Sequence, residues 1–184
     1  GAGEDPLPAT TRLNGWLEAR YDFWLARSPM EQAYLGRKTN ADKWDDVSEA
    51  RQRDDADHVQ KELADLRENF GSTAFSPEGQ LSYRLYEYRC ERMIEDFPWR
   101  HHGYPVNQLE GWQQEIPSFL INIHSVGNVA EAQAYIARLN AIGTLDFDGG
   151  PLAETLNRPG EHRPEVWLAQ TTRSYFGATQ RTSR

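Results

Sequence analysis

Ser76-Pro77-Glu78-Gly79-Gln80-Leu81-Ser82-Tyr83-Arg84-Leu85-Tyr86-Glu87-Tyr88-Arg89-Cys90-Glu91-Arg92-Met93-Ile94-Glu95-Asp96-Phe97-Pro98 is the stretch that decides the fold class. Serine followed by proline marks a helix start: the hydroxyl oxygen accepts from an unpaired amide of the first turn, and proline has no amide to leave unpaired. Leu81, Leu85, Tyr88 and Arg92 then fall in one helical row, and Tyr86, Cys90, Met93 and Phe97 in the neighbouring row. Two rows make a broad face, so the spacing predicts the most buried helix of the chain. Pro98 predicts its end, because the residue before a proline is pushed away from α geometry.

Towards the N-terminus, residues 1–10 form a polar, proline-containing lead. From Thr11, the residues Leu13, Trp16, Leu17, Tyr21 and Trp24 follow a helical period. Ser28-Pro29-Met30-Glu31 reads as a capping box that starts a short second helix, ended by Gly36. A polar loop around Trp44 leads to Ser48, an N-cap for a helix running to about Phe70. The first half of that helix, Glu49 to His58, is nearly all charged or polar. Val59, Leu63, Leu66 and Phe70 then form a narrow apolar stripe. This is the pattern of a solvated helix with one buried edge rather than of a surface that recognises charge.

Towards the C-terminus, Phe97 to His124 has no regular period and holds three of the five histidines, two of the six tryptophans and three of the ten prolines. Binding groups tend to collect on such inserts when a rigid scaffold holds them. Within it, Pro117 suits the first turn of a short apolar helix through Ile123. Asn128-Val129-Ala130-Glu131 is a further capping signature. It predicts a helix with Val129, Ala132, Ile136, Leu139 and Ile142 inward, closed by Gly143. Residues 146–151 read as a loop, and 152–158 as two helical turns. Strand alternation is missing throughout. The expected class is all-α, an irregular helical bundle of about five to seven helices with a long Pro/Trp/His-containing loop. The expected organisation is a polar lead over 1–10, a helical domain over 11–143, and a divergent or truncated tail over 144–184.

Composition bounds the function. A chain of 184 residues can bury a sizeable core, and six tryptophans argue against disorder. A formal charge of −8 argues against nucleic acid or an anionic membrane as partner. Cys90 is the only cysteine, so an intramolecular disulfide is excluded. Apolar runs of about 18 residues are missing, and with them any membrane-spanning helix.

The residues that carry chemistry are few. His101 and His102 are a metal temptation, but helical neighbours point about 100° apart, and a carboxylate at ligand spacing is missing. HExxH does not occur. Cys90 lies on an apolar helical face where thiols are inert. Ser118 and Ser125 lack a GxSxG context. Glu110 and Glu115 flank Trp112, a pairing that an acidic chain produces by chance. His124 ends an apolar turn, where the helix dipole favours a cationic imidazole. Asn107 and Gln108 follow Tyr104-Pro105, which fixes the backbone before them. Two ordered amides either face a peptide-like ligand or satisfy carbonyls of their own loop. Tyr104, Asn107, Gln108, Trp112 and His124 are therefore the candidate binding residues; neither a catalytic nor a metal-ligating residue is expected.

Leu81 to Tyr88, Tyr104 to Gln108, Ile116 to Leu120 and Ala134 to Leu139, in that order, resemble the N-terminal part of the bacterial family called domain of unknown function 885. Leu25-Ala26-Arg27-Ser28-Pro29 and Leu35-Gly36 fit its opening, and the resemblance runs from Thr11 to Ile142. It implies a large, mostly helical protein, often secreted or lipid-anchored, hence periplasmic or secreted in preference to cytoplasmic. It also implies an HExxH-type zinc motif like that of helical metallopeptidases in the family's C-terminal part. That motif is not in this chain, so zinc is implied for the full-length family and no metal ligand carries over. The resemblance therefore implies an N-terminal helical portion, inert alone, whose Asn107-Gln108 loop forms part of a cleft wall for a peptide-like ligand. The alternative is a stand-alone helical binding module. Apolar faces over 81–97 and at Val129, Ile136 and Leu139 are expected to be short of cover, which favours a homo-oligomer.

Overall fold

A computed structural model describes residues 6–102, 111–147 and 150–151. Among these are six α-helices: α1 (Pro6–Ala26), α2 (Pro29–Tyr34), α3 (Glu49–Phe70), α4 (Pro77–Asp96), α5 (Trp112–Asn122) and α6 (Val129–Ala141). The class is all-α. Among the described residues a minimal antiparallel pair departs from it, β1 (Asp146–Phe147) and β2 (Gly150–Pro151), with Asp146 opposite Pro151, where a loop was predicted.

The chain forms two compact units that interleave along the sequence. The first takes Gly1–Ser28 and Glu49–Gly103, the second Pro29–Ser48 and Tyr104–Arg184.

In the first unit, α1, α3 and α4 pack on one another. Helix α4 starts as its sequence predicts: the Ser76 hydroxyl accepts from the Gly79 amide at 3.3 Å, and Pro77 is the first helical residue. One of its two predicted rows turns outward, however. Leu81, Leu85 and Tyr88 are 59%, 59% and 62% exposed, while Cys90 of the neighbouring row is buried, Tyr86 packs against the core, and Gly79 and Tyr83 are buried beside them, so the inward face is narrower than expected. The cause is the fit to α1. A methyl group on Gly79 would stand 2.6 Å from Thr10 Oγ1, and that same oxygen accepts from the Ser76 amide. A larger residue would force the Thr10 side chain aside, so glycine permits this close approach, and the 79–83–90 row lies against its neighbours. Pro98 does mark the end of α4, which closes at Asp96 with Phe97 as its cap, although the winding continues in a tighter form. Phe97 keeps helical angles and the chain tightens into a 3-10 turn over Phe97–His102. The amide that proline lacks is one that a new turn leaves unpaired in any case.

Helix α3 buries Val59, Leu63, Leu66 and Phe70, the stripe expected of it, and adds Glu62. Leu13, Leu66, Phe70 and Tyr83 form one core cluster, and Val59, Leu63 and Cys90 another. Helix α1 begins at Pro6, inside the stretch read as a lead, and Tyr21 is exposed where an inward position was expected. The charged half of α3 is tied internally: Arg27 bonds Asp54 and Asp55, Arg51 bonds Asp55, and Arg100 bonds Glu49.

The second unit closes around Met30, Trp44, Ile116, Phe119 and Leu120. Gly36, at φ +72°, ends the turn after α2, with the Gly36 and Arg37 amides returning to Ala33 and Gln32 carbonyls. The first-turn amide of Met30 is met by Asp45 at 2.7 Å. Helix α5 starts five residues earlier than predicted, so Pro117 lies inside it. Its start is Gly111 at φ +143°, a conformation that side chains disfavour. Helix α6 has the predicted cap, the Glu131 amide donating to the Asn128 side chain at 3.0 Å. Its predicted inward stripe is corrected at Val129, Ile136 and Leu139, which are exposed, in line with the expected shortage of cover there; Ile142 packs against the core, and Arg138 is the helix's buried residue.

Candidate functional site

The face that α6 buries follows from Arg138. Its guanidinium donates from Nε to the Lys43 carbonyl at 2.9 Å, from Nη1 to His124 Nδ1 at 2.9 Å, and from Nη2 to the Pro29 carbonyl at 3.4 Å. The cation also lies over the Phe119 ring, 4.7 Å from its centroid. In return Trp44 Nε1 donates to the Arg138 carbonyl at 2.9 Å. Arg138 has no exposed surface, and no ion pair with a described residue reaches it. Burial pulls its pKa down, while the more distant Asp45 and Asp42 push the other way. Guanidinium donates in a fixed fork and never accepts, so each acceptor around it is held in a fixed direction.

This assigns the proton of His124. A guanidinium N–H pointing at Nδ1 requires a lone pair there, so the imidazole is neutral and carries its hydrogen on Nε2. Nε2 faces the Glu131 carbonyl at 3.4 Å. Burial, followed by the nearby Arg138 and Lys38 charges, lowers the His124 pKa, partly opposed by that carbonyl. His124 does follow the end of α5, as the sequence reading has it, but with Arg138 donating to its ring the imidazole there is neutral rather than cationic.

Beside this network lies a cavity of about 170 Å³, lined among others by Arg37, Lys38, His124, Ser125, Glu131 and Arg138. Lys38 Nζ donates to Ser125 Oγ at 2.7 Å and to the Ser125 carbonyl at 3.4 Å, and stands 3.6 Å from Glu131 Oε1. Glu131 Oε2 accepts from the Gly127 amide at 2.6 Å. That amide chiefly, with Lys38 behind it, holds the Glu131 carboxyl below the ordinary carboxylate range. The groups able to move protons are thus engaged in holding the structure. What faces outward is the ammonium of Lys38 and the side chain of Arg37.

Of the residues predicted from sequence, His124 lines this cavity. Trp112, the first residue of α5, packs instead against the Met30–Trp44–Phe119 core. Tyr104, Asn107 and Gln108 lie outside the described residues. Cys90 is buried, and burial pushes its thiol up to about 11, consistent with an inert side chain. His101 stands 3.3 Å from Glu49, brought to it from the start of α3. Among the described residues no three His, Cys, Asp or Glu gather as a metal-ligand set.

Sequence reading missed Arg138, Lys38 and Glu131 as a group. A signal was present, since Tyr135, Arg138 and Ile142 share one helical side. The apolar row Val129, Ile136, Leu139 outweighed it.

A family model described as "Bacterial protein of unknown function (DUF885)" matches residues 29–146. That span contains the whole cavity wall. No curated protein and no solved structure matches the chain.

Proposed function

Since this chain belongs to the bacterial family of unknown function DUF885, matched over residues 29–146, we propose that it serves as a non-catalytic helical portion of a metallopeptidase-like protein, contributing a ligand-contacting wall. The observation that carries this reading is the locked state of the second unit's cavity. Both ring nitrogens of His124 face partners, and the Glu131 carboxylate accepts from the Gly127 amide at 2.6 Å, with the Lys38 ammonium further off at 3.6 Å. A general base needs a lone pair free to reach its substrate, and a nucleophile needs a base beside it. The cavity offers positive, outward-facing contacts instead, which suits recognition more than turnover. The ligand on this reading is peptide-like, and zinc belongs to the full-length family.

The test is turnover of fluorogenic peptides by the purified chain, with and without added zinc. No turnover in either condition is expected. Zinc-dependent cleavage by the chain alone contradicts the proposal.

A second reading, an interaction module that associates with further copies of itself, is favoured by one observation. Leu81, Leu85 and Tyr88 form an exposed apolar row along α4, and apolar patches of this kind are usual at interaction surfaces. Sedimentation at micromolar concentration, before and after Leu85→Gln, tests it. A shift towards monomer supports association, and a monomer in both cases contradicts it.

A further inference from the structure

The cavity of the second unit has a charge pattern opposite to that of the chain. The protein carries a net −8, yet Arg37, Lys38 and Arg138 line this one hollow against the single carboxylate of Glu131 and a neutral His124. Arg138 is the informative member. Its partners are two carbonyls and an imidazole, all uncharged, so the buried positive charge has no carboxylate in contact with it. Asp45 and Asp42 act on this charge without touching it, and in such weakly screening surroundings part of its field extends into the adjoining hollow.

Lys38 is the point of contact. Its Nζ is committed to Ser125, but the ammonium stands 3.6 Å from Glu131 Oε1. A charge-assisted N–H···O bond closes to about 2.7–2.9 Å, so this side of the ammonium is held loosely. Gly36, at φ +72°, turns the chain so that Arg37 and Lys38 follow one another along the rim, and the space where its side chain would stand is open.

Size limits the ligand. The hollow of about 170 Å³ exceeds the ~30 Å³ share of one water and falls short of the ~300–1,000 Å³ of sites that enclose a drug-sized molecule. It has room for the end of a ligand, not the whole of one.

We propose that this hollow is a subsite for the terminal carboxylate of a peptide or acylated amino acid, contacted by Lys38 with Arg37 at the rim and Arg138 supplying the field behind. The assignment rests on the non-catalytic, ligand-binding reading above and names the chemical group that the wall receives. An incoming carboxylate takes the loosely held side of Lys38 that Glu131 now faces. Glu131 keeps its amide bond to Gly127.

The experiment is calorimetric titration of the full chain with N-acetyl-alanyl-alanine, with the same dipeptide as its C-terminal amide, and with inorganic phosphate. Saturable binding of the free acid is expected, with the amide and phosphate each weaker by about tenfold or more. Lys38→Met should weaken the acid by about tenfold with an unchanged melting temperature, and Lys38→Arg should restore most of the binding. Equal binding of acid and amide, no acid binding at concentrations on the order of 10 mM, or binding indifferent to Lys38→Met overturns the proposal. Phosphate binding as tightly as the acid overturns the carboxylate assignment. These outcomes are independent of turnover: zinc-dependent cleavage would defeat the non-catalytic reading while an acid-selective subsite stood.

Discussion

Beside its apolar core the first unit buries a carboxyl side chain, Glu62, and the second a guanidinium, Arg138. Both side chains are almost entirely buried, and neither has an oppositely charged group in contact among the described residues. Glu62 Oε2 accepts from Trp24 Nε1 at 3.1 Å and from the Tyr86 hydroxyl at 2.7 Å, while Oε1 has no hydrogen-bond partner. Arg138 engages all three of its nitrogens. The difference teaches where each unit takes its orientation. In the first unit the apolar stripe of α3 suffices, and Glu62 is a half-satisfied passenger on it. In the second, the polar anchor decides which side of α6 is buried, against the apolar row of the same helix.

The largest expected effect breaks the second half of this comparison. Arg138→Met should destabilise the protein by about 3 kcal/mol, because the Lys43 and Pro29 carbonyls and the His124 ring lose a donor in a buried setting. Urea unfolding measures it. A loss below about 1 kcal/mol would mean that α6 is held by its apolar contacts after all.

A smaller effect comes from acid. The folded-state pKa of His124 lies below its ordinary 6.5, so the unfolded chain takes up this proton first as pH falls. The contribution is therefore complete above about 6.5 and is lost as pH drops through 6.5 towards the folded value. Urea midpoints at about pH 7.5 and 5.5 should differ in that direction, and His124→Gln should reduce the difference.

The smallest effect belongs to the first unit. Glu62→Gln keeps an oxygen for Trp24 and Tyr86 and removes a buried charge, so stability should change by less than about 1 kcal/mol. Burial, then the bond to Glu62, raises the Tyr86 pKa, so its hydroxyl remains a donor to either side chain. A loss as large as that of Arg138→Met would erase the contrast between the two units.

The same contrast explains what could be read from sequence. The stripe Val59, Leu63, Leu66, Phe70 was legible because apolar periodicity alone determines which side of α3 is buried. The caps at Ser76 and Asn128 were legible because each is a local contact within three residues. Helix α4 was misread because its orientation depends on Gly79 meeting Thr10, a contact between residues far apart in the chain. Helix α6 was misread for a related reason. The acceptors that bury Arg138 belong to Lys43 and Pro29, and no period within 129–141 reveals them. His124 could be singled out as a candidate, but its protonation state depends on Arg138, fourteen residues on.

Arg138, which determines the buried side of α6, donates to His124 Nδ1. Nitrogen NMR of the histidine side chains across a pH titration observes this bond most directly, with His124→Gln identifying the resonance. The expected result is a neutral ring protonated on Nε2 at pH 7, titrating below the ordinary 6.5. A ring protonated on Nδ1, or one that titrates at or above that value, would contradict it.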